Sequence, residues 1–147
     1  MLRRVMLFVF ALSLASGLLT ACGSTPASTT EHDLKMASMS MMPDAVRGAA
    51  TVTQQAYQFA VANPDIMQHI PCYCGCGAMG HTSNYSCYIK SVDAKGTVQF
   101  DAHALGCSIC VDITRDAMRL TRQGESPQQI KAYVDKTYSR FGPSNMQ

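Results

Sequence analysis

The chain has 147 residues, with 12 Lys and Arg against 10 Asp and Glu for a formal net charge of +2, which is room for one small domain with its own core. The charges are scattered, and the absence of a basic stripe excludes nucleic acid as a partner. Seven cysteines and ten methionines make sulfur the feature to explain.

Met1 to Leu19 reads as an export signal. Arg3 and Arg4 form its charged start, and Val5 to Leu19 form an apolar stretch too short to span a membrane comfortably. It meets Leu19-Thr20-Ala21-Cys22, which resembles the lipobox of bacterial lipoproteins. That resemblance implies a signal peptide over residues 1–21, a diacylglyceryl group on the sulfur of Cys22, and a chain lipid-anchored on the extracytoplasmic side of a cell membrane or outer membrane. Ordinary secretory cleavage beside a free cysteine is the other reading, and both take the chain out of the cytoplasm. Removal of the signal takes away Arg3 and Arg4, which leaves 10 basic against 10 acidic residues. With Cys22 in lipid, six cysteines remain in an oxidising compartment, where they should be bridged, metal-bound or redox-active.

Residues 22–45 begin rich in Ser, Thr and Pro, lack periodicity, and read as a flexible tether. Met36, Met39, Met41 and Met42 lie inside it. Thioethers select soft ions such as Cu(I), so these methionines are candidate auxiliary ligands; the alternative is that they coat a membrane-proximal or partly docked segment. The folded domain is expected over 46–142. Val52, Ala56, Phe59 and Ala60 recur on one helix face, and Asn63-Pro64 ends that helix. A short turn carrying Ile66, Met67 and Ile70 leads to Pro71.

Next comes Pro71-Cys-Tyr-Cys-Gly-Cys-Gly77, opening an irregular loop that runs to Gly80. Tyr88 to Val92 and Thr97 to Phe100 flank Asp93-Ala-Lys-Gly96 as a small hairpin. Cys107-Ser-Ile-Cys110 leads into a helix with Cys110, Ile113, Ala117 and Leu120 on its core face, stopped by Gly124. In the last helix Ser126 is the N-cap, Pro127 the first helical residue and Gln129 the capping-box partner. Ile130, Tyr133, Val134, Thr137, Tyr138 and Phe141 form its apolar stripe, and residues 143–147 remain as a tail. The expected fold is mainly α: a small helical domain with an irregular Cys-rich loop and a minor β-hairpin.

The six cysteines allow fifteen complete pairings. Cys107 and Cys110 form a natural internal pair, but this forces a bridge inside the C-x-C-x-C run, where only Cys72 to Cys76 has a relaxed span. Metal binding has no such difficulty. Thiolates at Cys72, Cys74, Cys76, Cys87, Cys107 and Cys110 favour copper as Cu(I) by softness, and zinc would accept any four of them. His81 and His103 are candidate nitrogen ligands beside them, Met79 is a further auxiliary sulfur, and Asp101 and Asp112 are candidates to orient a ligating histidine. The six thiols are then expected in one cluster.

Pro71-Cys-Tyr-Cys-Gly-Cys76, followed by Gly80-His81, Ser83-Asn84, Cys87, Phe100-Asp101-x-His103 and Cys107-x-x-Cys110, resembles the bacterial lipoproteins named after their PCYCGC motif. The resemblance covers about Ile70 to Phe141 and implies surface anchoring, with the six cysteines acting as one unit. Cys107-x-x-Cys110, its helix and the closing amphipathic helix are also similar to the thiol-bearing hairpin of cytochrome c maturation proteins, although Leu105-Gly106 stands where that family commonly has Leu-Arg. The expected function is binding rather than catalysis: Cu(I) capture or delivery, in exchange with an envelope metal-handling or redox protein. A thiol-disulfide oxidoreductase using Cys107 and Cys110, and a disulfide- or zinc-stapled interaction domain, are the alternatives.

Overall fold

Five α-helices and one antiparallel hairpin make up residues 31–146, the part of the chain that the computed structural model describes. The expected signal peptide, the expected lipidation site at Cys22 and the expected tether up to residue 30 lie outside the described residues. The helices are α1 (Asp44–Arg47), α2 (Thr51–Ala62), α3 (Pro64–Met67), α4 (Ser108–Arg122) and α5 (Pro127–Tyr138); the strands are β1 (Ile89–Val92) and β2 (Val98–Phe100). It is a small mainly α domain. No described helix is long and apolar enough to cross a membrane.

Helix α4 is the central element, packed against α2 on one side and α5 on the other. Its predicted face, Cys110, Ile113, Ala117 and Leu120, is buried, and Val111 and Thr114 join it. A fully buried isoleucine such as Ile113 contributes about 1.5–3 kcal/mol over an exposed one. Ala56, Phe59 and Ala60 of α2 and Ile130 and Val134 of α5 complete the packing at 0 % exposure. The α5 start is as the sequence predicts: Gln129 N–H donates to Ser126 Oγ, and Gln129 Oε1 accepts from Ser126 N–H at 2.9 Å. Asn63 separates α2 from α3, with Pro64 opening the latter.

In the hairpin, Ile89 faces Phe100 and Val92 faces Val98, with a bulge between Ile89 and Ser91. Asp93 Oδ1 closes the turn by accepting from the N–H groups of Lys95 and Thr97, both at 2.8 Å. Tyr88 lies just before β1 and is fully buried.

The packed unit extends past 46–142 at both ends. From Glu31 onward the segment expected to be a flexible tether is docked. His32 N–H donates to Arg122 O at 2.8 Å, Ala37 N–H to Gln58 O at 3.0 Å, and Asn63 Nδ2 to Lys35 O at 2.9 Å. Met42 is buried in the core with Val46, Met39 is half-buried, and Met36 and Met41 are exposed. Of the two readings of these methionines, partial docking describes the segment, and Met42 serves as a core side chain. At the other end, residues 143–146 are a strap and not a free tail: Asn145 N–H donates to Cys72 O at 3.0 Å.

Candidate metal centre

The centre forms where the 71–80 loop, the segment before β1 and the start of α4 meet. Gly75, at φ +84°, takes the left-handed conformation that glycine accepts without strain, and so turns the chain between Cys74 and Cys76. Cys107 is the N-cap of α4 and Cys110 lies in its first turn. The positive end of the helix dipole there favours thiolates. Tyr73, between the first two cysteines, points away from them and donates to Asp135 Oδ1 of α5 at 2.7 Å. Burial first, and then that carboxylate, pushes its phenol up to about 12.

All six cysteines come together as free thiols. Cys72 Sγ lies 3.4 Å from both Cys74 Sγ and Cys110 Sγ, Cys74 Sγ lies 3.6 Å from Cys110 Sγ, and Cys76 Sγ lies 3.7 Å from Cys87 Sγ. Two groups have their donor atoms all within 4.8 Å of one another: Cys74, His103, Cys107 and Cys110, and separately Cys72, Cys76 and Cys87. Both can hold a metal ion. In the first group Cys74, His103 and Cys107 are half-buried and Cys110 is buried; in the second all three sulfurs are buried.

The histidines differ in their placement. His103 Nε2 is 3.4 Å from Cys74 Sγ, inside the first group. His81 stands outside both groups, edge-on to the His103 ring with centroids 5.2 Å apart. Asp101 serves the pair: its Oδ1 accepts the His103 backbone N–H at 2.8 Å, and its Oδ2 lies 3.6 Å from His81 Nε2. Asp112 instead pairs with Arg115 on the surface of α4. Met79 is exposed.

The sulfurs share their protons unequally. Hydrogen bonds from Cys110 first, and then from Cys87, hold Cys72 well below the usual thiol range against the opposing effect of burial. Cys110 is raised by its bond to Cys72 above all, then by that to Cys87 and by burial. Burial first, and then the Cys72 charge, raise both Cys74 and Cys76. For Cys87 the bond to Cys110 is the largest influence and acts downward, but the bond to Cys72, burial and nearby thiolate charge together outweigh it.

The family model described as a protein of unknown function with PCYCGC motif matches residues 10–144. The chain belongs to the PCYCGC-motif family. No curated protein and no solved structure matches the chain.

The PCYCGC loop is also held by residues whose role the sequence does not mark. Asn145 Oδ1 accepts Cys72 N–H at 2.7 Å, and Asn145 Nδ2 lies 3.5 Å from Cys76 Sγ. Nothing in a Ser- and Asn-bearing chain end marks such a contact beforehand. Beneath the loop, Tyr88 donates to the Cys110 carbonyl at 2.9 Å, and Asn84 Nδ2 approaches the same oxygen at 3.4 Å. Thr114 Oγ1 sits 2.8 Å from Asn84 Oδ1 and 2.7 Å from the Tyr88 hydroxyl. Asn84 and Thr114 are both at 0 % exposure. The usable signal was Asn84, a polar residue between two cysteines of the motif, since polar side chains buried this deeply are kept by their partners.

Proposed function

We propose that this chain is an extracytoplasmic Cu(I)-binding lipoprotein, tethered to the membrane through Cys22, that captures or delivers copper with Cys72, Cys74, Cys76, Cys87, Cys107, Cys110 and His103. The observation that carries the reading is the position of Cys72 Sγ, 3.4 Å from Cys74 and from Cys110, which joins the sulfurs into one soft donor set. Thiolates select Cu(I) over harder ions. The lipid anchor rests on the lipobox-like Leu19-Thr20-Ala21-Cys22.

Copper enters and leaves by ligand exchange at the half-buried donors Cys74, His103 and Cys107. Cys107 lines an open cleft of about 350 Å³ with Val52, Leu105 and Val111, where a donor group of an envelope partner can reach it. The role is binding, with no bond of a substrate made or broken. Zinc is the second reading, because Cys74, His103, Cys107 and Cys110 are a Cys₃His set of the kind that holds structural zinc.

Protein purified without chelators from cells grown with added copper is expected to carry copper, and to show six free thiols after the metal is removed under denaturing, oxygen-free conditions. Copper-free protein with all six thiols oxidised, or protein carrying zinc alone under these conditions, overturns the copper reading.

The raised thiols give the pH dependence its sign. A metal binds thiolate, so Cys74, Cys76, Cys87 and Cys110 must each release a proton to become ligands, and acid opposes that release. Apparent copper affinity is therefore expected to fall from pH 8 to pH 6, by about tenfold for each proton released per pH unit. Competition against a pH-insensitive Cu(I) chelator measures it, and equal affinity at the two pH values contradicts it.

A further inference from the structure

We propose that the centre holds more than one Cu(I): a second ion sits on Cys72, Cys76 and Cys87, bridged to the first through the Cys72 sulfur. This rests on the copper reading above and adds to it a second, inner position.

The inner donors have a geometry of their own. An ion lying in the plane of three sulfurs at about 2.3 Å from each holds them about 4.0 Å apart. Cys76 and Cys87 are already 3.7 Å apart, and all three sulfurs lie within 4.8 Å of one another. Cys72, Cys76 and Cys87 are at 0 %, 1 % and 0 % exposure, so water has no open route to a fourth position. Cys110 Sγ touches Cys72 at 3.4 Å, but it is grouped with the outer donors Cys74, His103 and Cys107, and with Cys110 committed there the inner ion has three sulfurs. Structural zinc is almost always four-coordinate, whereas Cu(I) is satisfied by three sulfurs.

Asn145 adds a side-chain donor at the inner sulfurs. Its Oδ1 accepts the Cys72 N–H at 2.7 Å, which fixes the amide orientation, so that its Nδ2 donor faces Cys76 Sγ at 3.5 Å. Such a donor offers the sulfur of a bound ligand a hydrogen bond from outside the donor set.

The bridge follows from Cys72. It belongs to the inner three, yet its sulfur is 3.4 Å from Cys74 and Cys110 of the outer four. A thiolate has lone pairs for two ions. Sharing it also limits buried charge, because uncompensated thiolates in a closed interior are costly. The two positions then differ in exchange: the outer ion faces the half-buried Cys74, His103 and Cys107, while the inner ion is enclosed.

Anaerobic titration of the reduced full chain with Cu(I) supplied as its acetonitrile complex tests this, read by native mass spectrometry and copper X-ray absorption. The expected result is at least two copper ions per chain with a copper–copper scattering contribution, and two-phase release to a strong chelator. Cys87→Ser and Cys76→Ser should each lower the copper count by at least one and abolish that scattering. Because either substitution can disturb the fold, the wild-type result decides on its own. A single copper per chain, or two without copper–copper scattering, overturns the bridged pair while leaving the copper reading in place. A chain that takes up no Cu(I) overturns both.

Discussion

Cys110→Ser is expected to lower Cu(I) affinity by more than about 100-fold, or about 2.8 kcal/mol at 1.4 kcal/mol per factor of ten. Cys110 Sγ is in contact with Cys72 and Cys74 at 3.4 and 3.6 Å and is itself at 0 % exposure. The serine oxygen is a harder donor on a shorter bond, so it neither reaches the ion nor suits it. Cys107→Ser makes the informative contrast. Cys107 is the N-cap of α4 and its side chain caps nothing, whereas serine is among the best N-cap residues. That variant should gain about 0.5–1 kcal/mol in metal-free stability while losing copper affinity by roughly tenfold or more. Metal affinity by chelator competition and metal-free stability by urea unfolding therefore move in opposite directions at Cys107. At Cys110 affinity collapses while the first turn of α4 keeps its backbone contacts. If both variants bind copper like the unchanged chain, the thiols are not the ligands.

Much of this arrangement was legible because it rests on local rules. The capping box at Ser126 and Gln129, the stripe along α4 and the hairpin closed by Asp93 are each written within a few consecutive residues. The gathering of six cysteines was legible from their number and from the poor geometry of a bridge within C-x-C-x-C. Their division was not. The sequence suggests Cys72, Cys74 and Cys76 against Cys87, Cys107 and Cys110, yet the chain turns at Gly75 and Cys74 joins Cys107 and Cys110, while Cys87 joins Cys72 and Cys76. Which histidine meets the sulfurs was also hidden, since His81 and His103 are both near cysteines in sequence and only the folded loop places His103 Nε2 on Cys74. The docked segment before α1 escaped for a different reason. It is held mostly by backbone hydrogen bonds to Gln58 and Arg122 and by one buried side chain, Met42, none of which imposes a period on the sequence.

The second large effect is expected away from the ligands. Asn84→Ala should destabilise the metal-free protein by roughly 2–4 kcal/mol, as a buried polar side chain is lost, its partner left short and a cavity opened. Asn84 Oδ1 and the Tyr88 hydroxyl both meet Thr114 Oγ1, and Asn84 and Tyr88 both reach the carbonyl of Cys110. Thr114→Val keeps the shape but strands Asn84 Oδ1 in the interior, at a cost of about 1–3 kcal/mol. The double variant should cost less than the sum of the two, because the first change already leaves the second residue without its partner. Urea unfolding of the metal-free chains checks all three, and a loss below about 0.5 kcal/mol for Asn84→Ala would contradict the network's role. The same groups hold the backbone from which the Cys110 sulfur projects, so copper affinity should fall in Asn84→Ala although no ligand has changed. Second-contact residues of this kind typically alter metal affinity by about 10- to 100-fold. Copper bound to the folded chain adds stability that rises with the logarithm of its affinity, so the deficit of Asn84→Ala should be larger with copper present than without it. An equal deficit in both states would mean that Asn84 holds the fold but not the position of Cys110.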